Sequence, residues 1–178
     1  MRRLLPALLL LAACGAPERQ ETLSRSPSFR ARTVAVAATR GARGKGVAIS
    51  RALVSRLEGL GLTASNLEES DSVLAGSALS LEAARSPRLL DEIRRATGAD
   101  AVVFLSLDPS WRSLEISALD ARTGDAVLRA AAHPRGDAFA DPAEIADAAA
   151  RALSPLAAER RTPKATRPDD PVDEIPLP

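Results

Sequence analysis

The sequence predicts an α/β domain, a mixed sheet of about five strands with helices packed on it, in the order β-α-β-(α)-α-β-β-β-α. Three observations carry this. Ala101–Leu107 (Ala-Val-Val-Phe-Leu-Ser-Leu) is a near-continuous apolar run rich in Val and Phe, the signature of a strand buried on both faces. Two further β-type segments, Leu114–Asp120 and Ala126–Ala132, follow it at hairpin spacing. Upstream and downstream, the apolar period changes from two to 3.6, which places helices on either side of these strands.

In chain order, the first strand is Thr33–Ala38, which runs into the glycine-rich loop Thr39–Gly46. A helix follows, with Ile49, Leu53, Leu57 and Leu60 on one face and Ser50, Arg51, Ser55 and Glu58 on others. Gly59 and Gly61 stop it, one of them at the left-handed C′ position. Leu62–Ser65 is a short second strand, parallel to the first through a right-handed crossover. Residues 66–85 contain two weak helical segments, Asn66–Ser70 and Ser80–Arg85. Ser86-Pro87 reads as an N-cap followed by proline at the first helical position, and that helix carries Leu89, Leu90, Ile93 and Ala96 up to Gly98.

The central strand ends at Asp108-Pro109-Ser110-Trp111-Arg112-Ser113, a turn-forming link to the next strand. There Leu114, Ile116 and Ala118 alternate with Glu115 and Ser117, so one face is buried. Asp120 is placed to accept backbone hydrogen bonds within the next turn, and Gly124 supplies its positive φ. After a loop over Pro134–Ala140, Asp141-Pro142-Ala143-Glu144 combines an Asp cap, proline at the first position and Glu three residues past the cap. Ile145, Ala148, Ala149, Ala152 and Leu153 form a stripe of mostly small residues, suited to close packing on a sheet. Ser154-Pro155 ends or kinks the helix.

The ends have a different character. Met1-Arg2-Arg3 precedes the apolar run Leu4–Ala13, which is too short for a membrane-spanning helix and has the length of a secretory signal core. It ends in Leu11-Ala12-Ala13-Cys14, which resembles the bacterial lipobox, and the chain's single cysteine stands at that position. A thiol there would carry the glyceride, and two or three acyl chains give stable anchoring. The other readings are an ordinary signal peptide with an incidental Cys and a short uncleaved anchor. The expected organisation is therefore a signal peptide at 1–13, a tether at 14–31, the folded domain at 32–158 and a Pro-rich disordered tail at 159–178. Gly15 stands where inner-membrane retention signals of enterobacterial lipoproteins usually place Asp, so the expected location is the outer membrane, facing the periplasm.

Composition narrows the function. The formal charge is +1, and cleavage after Ala13 leaves 22 basic against 23 acidic residues, so bulk charge argues against nucleic acid. One Cys and one His rule out an intramolecular disulfide and disfavour a His/Cys zinc site, and neither a metal nor another cofactor is expected. His133 has no recognisable catalytic partner motif, and no nucleophile–base pair can be assigned. The loop Gly41-Ala42-Arg43-Gly44-Lys45-Gly46 lies where phosphate loops lie, yet its glycines are too close and Gly46-Val47 replaces the hydroxyl of a P-loop; a flexible turn is the better reading for nucleotides.

Two features could make contacts. From Arg25 to Arg56 there are eight basic residues and no acid, so Arg40, Arg43 and Lys45 are candidate contacts to lipid headgroups or an acidic partner, against the reading of a solvated face. Trp111, at the hairpin tip, could anchor a partner or pack back over the sheet edge. Pro168–Pro171 fits an extended recognition segment, against that of a plain disordered tail.

Val34-Ala35-Val36, the helix end Leu60-Gly61-Leu62, the segment Thr97–Val103 and the hairpin Asp120–Val127 occur in an order that resembles the fold of the curli-secretion lipoprotein CsgG, the penicillin-binding-protein activator LpoB and the amino-terminal domain of TolB. The resemblance spans about residues 32–155. It implies a non-enzymatic accessory, assembly or activator factor for an envelope machine, working through protein contacts. This chain lacks segments long enough for the membrane hairpins of a secretion channel. Two alternatives stand beside that reading: a subunit of a homo-oligomeric secretion-associated ring, and an envelope enzyme with an unrecognised site.

Overall fold

The computed structural model describes residues 19–37, 39–67 and 86–157. The lipobox with Cys14, the Pro-rich tail and the weak helical segments within 68–85 lie outside the described residues.

The apolar run forms the strand at the heart of the sheet. Numbered in chain order, the strands are β1 (Arg19–Arg25), β2 (Thr33–Val36), β3 (Thr63–Asn66), β4 (Ala101–Leu107), β5 (Leu114–Asp120) and β6 (Ala126–His133), and the helices are α1 (Gly46–Gly59), α2 (Pro87–Thr97) and α3 (Pro142–Leu153). The six strands make one mixed sheet, ordered β1-β6-β5-β4-β2-β3. β2 pairs in parallel with β3 and β4, as expected for crossovers through α1 and α2, whereas β4-β5-β6 is an antiparallel meander. β4 is buried along almost its whole length, as a strand covered on both faces must be.

Two apolar layers sandwich it. The larger joins Val34, Val36, Val103 and Leu105 with Ile49, Leu53 and Leu57 of α1 and the alanine stripe of α3. The smaller places Leu90 and Ile93 of α2 against Ala35, Val102, Phe104 and Leu119. Small side chains on α3 let it approach closely; Ala146, Ala148 and Ala149 are fully buried. The helix ends are built as the sequence suggests. Gly61, after the C-cap Leu60, has φ 85°, and Gly98 caps α2 with φ 66°. Asp141 Oδ1 accepts from Glu144 N at 2.9 Å, and the Glu144 carboxylate accepts from Ala140 N at 2.7 Å. Ser86 occupies the N-cap position of α2, but its hydroxyl makes no capping bond. In the β5–β6 turn, Asp120 accepts from Arg122 N through its side chain and from Gly124 N through its carbonyl, both at 2.8 Å.

One stretch differs from the sequence reading. Residues 14–31 were expected to be tether, yet β1 occupies Arg19–Arg25 and pairs antiparallel with β6 from Arg19↔His133 to Arg25↔Leu128, with a bulge between Thr22 and Ser24. Among the described residues the sheet therefore has six strands, and the folded unit includes Arg19–Arg25 as well as the segment from residue 32. The physical reason is that β1 is exposed on nearly every residue, so no alternating pattern records it. Backbone hydrogen bonds to β6 hold it, and those leave no trace in composition. Ala31, also within the expected tether, is fully buried and donates to Leu156 O at 2.9 Å.

Candidate functional site

The topology gathers one set of loops at one end of the sheet. β2 and β4 both run toward this upper end, where Arg40 bridges to Ser106 and Leu107 N donates to Arg40 O at 3.0 Å. The β4–β5 tip lies there, and so does the start of β1, because Arg19 faces His133 and Ala132 faces Leu114. Each of the three helices begins at this end, α1 directly after the glycine-rich loop.

The basic loop and the Trp-bearing tip, far apart in sequence, are therefore neighbours. The Arg43 guanidinium donates to Pro109 O. Lys45 Nζ lies 5.4 Å from the centroid of the Trp111 ring, within cation–π range. Gly41 (φ 74°) passes so close to β4 that a Cβ built on it would lie 2.1 Å from Leu107 O. Only glycine permits that approach. Arg43 (φ 47°) and Trp111 (φ 61°) are the non-glycine residues with positive φ among those described, one in each of the two loops that meet at this junction.

Asp108 organises the tip. Its carboxylate accepts from the Ser110 hydroxyl, from Ser110 N at 3.0 Å, and from Arg112 N and Ser113 N at 2.6 Å each. The Ser110 hydroxyl, helped by those three amides, pulls the Asp108 pKa down from the ordinary 3.8 to about 2. So braced, the tip folds back: Trp111 packs against the larger core and Phe139 N donates to Trp111 O at 2.9 Å. Of the two sequence readings for Trp111, packing over the sheet is the arrangement adopted. Its Nε1 is buried without a hydrogen-bond partner.

Arg40, Arg43 and Lys45 are all exposed; of the three only Arg43 lines the shallow cavity of about 360 Å³ in this loop, with Thr39, Gly41, Gly44 and Val47, while Lys45 lies over Trp111. His133 ends β6 with Nδ1 3.2 Å from Arg112 O, a structural contact to the same tip. Sequence reasoning missed Asp108 and Thr39. The Asp-x-Ser spacing of Asp108 and Ser110 is an Asx-turn signal that could have identified the first; nothing in the sequence marks Thr39.

A second cleft, about 610 Å³, lies at the lower end between Arg94, Arg95 and Arg122, with Asp91 and Asp100. Its acids are engaged. Asp91 pairs with Arg94 at 3.4 Å, and Asp100 Oδ2 accepts from Arg32 N and Thr33 N, a tie from β4 to the start of β2. Among the described residues no group of three or more His, Cys, Asp and Glu is placed to hold a metal, and no helix is long and apolar enough to cross a membrane.

No protein-family model and no curated protein matches the chain. Among solved structures it is similar to the PelC dodecamer from Paraburkholderia phytofirmans, with a TM-score of 0.55 and 18% identity over 81% of this chain and 100% of that one. A point variant of the same dodecamer aligns with a TM-score of 0.52, again at 18% identity, over 80% of this chain and 98% of the other. At that identity the shared property is the fold.

Proposed function

We propose that the protein is a lipid-anchored, non-enzymatic subunit of an envelope machine in the outer membrane, facing the periplasm, and that it works as a homo-oligomer through protein contacts. The observation that carries the oligomer is the likeness to a protein crystallised as a dodecamer, which the domain matches over the whole of the crystallised chain. The anchor rests on Leu11-Ala12-Ala13-Cys14. The accessory role is what the resemblance to CsgG, LpoB and TolB implies.

The test is the mass of the native assembly extracted from envelopes in mild detergent, measured by sedimentation and native mass spectrometry. A discrete species many times the monomer mass is expected, and a monomer across the accessible concentration range refutes the reading. The anchor has its own measurement: the extracted chain should begin at Cys14 with a mass increment of acyl chains, and Cys14→Ser should abolish it. Crosslinking pull-downs comparing wild type with Cys14→Ser and with deletion of 162–178 would then identify the partner.

A further inference from the structure

We propose that the lower cleft is the docking site of the chain's own acidic segment, Pro168-Asp169-Asp170-Pro171-Val172-Asp173-Glu174. The proposal rests on neither the anchor nor the oligomer put forward above.

Three observations converge on this pairing. The first is the charge that the cleft leaves uncompensated. Arg94 and Arg95 from the last turn of α2 and Arg122 from the β5–β6 turn line a space of about 610 Å³, and all three are exposed. The acids beside them are engaged. Asp100 Oδ2 accepts from Arg32 N and Thr33 N, and Asp91 pairs with Arg94. Asp120 Oδ1 accepts from Arg122 N, whereas its 4.0 Å separation from Arg122 Nε is too long for a hydrogen bond. Arg95 has no ion-pair partner among the described residues. Arg95 and Arg122 thus keep their planar forks of donors for carboxylates.

The second is where the chain leaves the fold. Ala157, the last described residue, bridges Ala31. One residue on, Arg32 N donates at 2.8 Å to Asp100, which lines the cleft. The exit point and the cleft therefore share a corner. Eleven residues, 158–168, separate Ala157 from Asp169, a span of roughly 36 Å fully extended, so the acids reach the cleft with slack. A tether of that length gives a local concentration on the order of a millimolar, and an affinity of the same order holds the segment about half the time.

The third is the segment's composition. Four of its seven residues are acids and none is basic, whereas residues 158–167 carry Arg160, Arg161, Lys164 and Arg167 against Glu159. Its prolines favour an extended chain that loses little entropy on binding. The other basic surface, the β2–α1 loop, has two of its three cations engaged, Arg43 with Pro109 O and Lys45 over Trp111. The cleft is the better match, and any other anion would have to displace the segment from it.

The test uses the chain from residue 14 to residue 178 with Cys14→Ser, which retains every described residue. Val172→Cys then supplies the sole thiol for a nitroxide spin label, and backbone amides are followed by NMR. Arg95, Gly98 and Arg122 should lose most of their signal to the label, while Arg40, Arg43 and Lys45 at the opposite end keep theirs. Asp169→Asn, Asp170→Asn, Asp173→Asn and Glu174→Gln together should restore the signal, as should Arg95→Gln with Arg122→Gln at an unchanged melting temperature. Salt at about 1 M, which cuts the Debye length to about 3 Å, should restore it as well. Losses centred on Arg40, Arg43 and Lys45, losses spread evenly over the surface, or losses that survive neutralisation of the four acids would each overturn the docking. A mixture of spin-labelled chains with isotope-enriched, unlabelled ones should show no loss. The same losses in that mixture would give the cleft to the segment of a second copy and overturn the intramolecular contact.

Discussion

Gly41 and Gly44 stand three residues apart in one loop, share the left-handed backbone (φ 74° and 80°), and should respond very differently to alanine. At Gly44 nothing lies within 4 Å of the added Cβ, so the cost is that of a side chain in the left-handed region, about 1–2 kcal/mol. At Gly41 the same Cβ would sit 2.1 Å from Leu107 O, where ordinary contact begins near 3.4 Å. The loop must therefore retreat from β4 by more than an ångström. That movement strains the Leu107 N–Arg40 O bond of 3.0 Å, a loss of about 1 kcal/mol, and adds backbone strain of about 1–2 kcal/mol. Gly41→Ala should then cost about 4 kcal/mol in all, a large share of a domain's typical ~5–15 kcal/mol. Urea unfolding followed by Trp111 fluorescence measures both variants. Equal destabilisation, within about 0.5 kcal/mol, would show that the loop is not pinned to β4 and that the junction described above is wrong.

Asp141→Ala removes the bond to Glu144 N and should destabilise by about 1 kcal/mol in the same assay, with Asp141→Ser recovering most of it. Leu128 of β6, fully buried in the larger core, should cost about 2–5 kcal/mol as Leu128→Ala. By contrast, Arg56→Ala, which deletes the half-exposed 2.5 Å pair with Asp147 between α1 and α3, should cost at most about 1 kcal/mol. Asp108 sets an acid limit. Its folded pKa lies below the ordinary value, so its stabilisation is complete above about 3.8 and is lost as pH falls through about 2. Melting temperature should carry a component that declines between pH 4 and 2, and Asp108→Asn should remove that component.

What was legible in the sequence was what burial writes into it. β4 announces itself because both faces are covered, so Ala101–Leu107 is apolar almost throughout. α3 is legible twice over, from its stripe and from Asp141-Pro142-x-Glu144, because its cap and its packing are both local. β1 was illegible for the opposite reason. Its side chains face water, and what fixes Arg19–Arg25 is a ladder to residues more than a hundred positions away. The site was half legible. The charges of Arg40, Arg43 and Lys45 stand out against an acid-free stretch, but Asp108's bracing role and the unpartnered hydroxyl of Thr39 depend on which strand ends meet, and that is decided by sheet order.

β1 changes the function as much as the fold. With residues 14–31 as a free tether, the domain could stand about 60 Å from a lipidated Cys14 and turn any face to the bilayer. With β1 in the sheet, four residues of sequence, Gly15–Glu18, lie between Cys14 and a strand that starts at the end carrying the basic loop and the helix N-termini. At a full reach of roughly 18 Å, about two Debye lengths at physiological salt, the field of an anionic surface is already largely screened, so charges on that end would feel it only when the domain sits closer than the full reach. The proposed anchor would then select orientation as well as location. Subunits held upright in one orientation meet by their sides, which in this fold include the β1 edge, exposed over nearly all its length and carrying Leu23 at 65% exposure. An edge strand with no second partner among the described residues and with an exposed leucine is a hazard for a free monomer, and a neighbouring subunit of the proposed oligomer would cover it. The proposed anchor and the proposed oligomer would thus both act through β1, the one at its start and the other along its exposed edge.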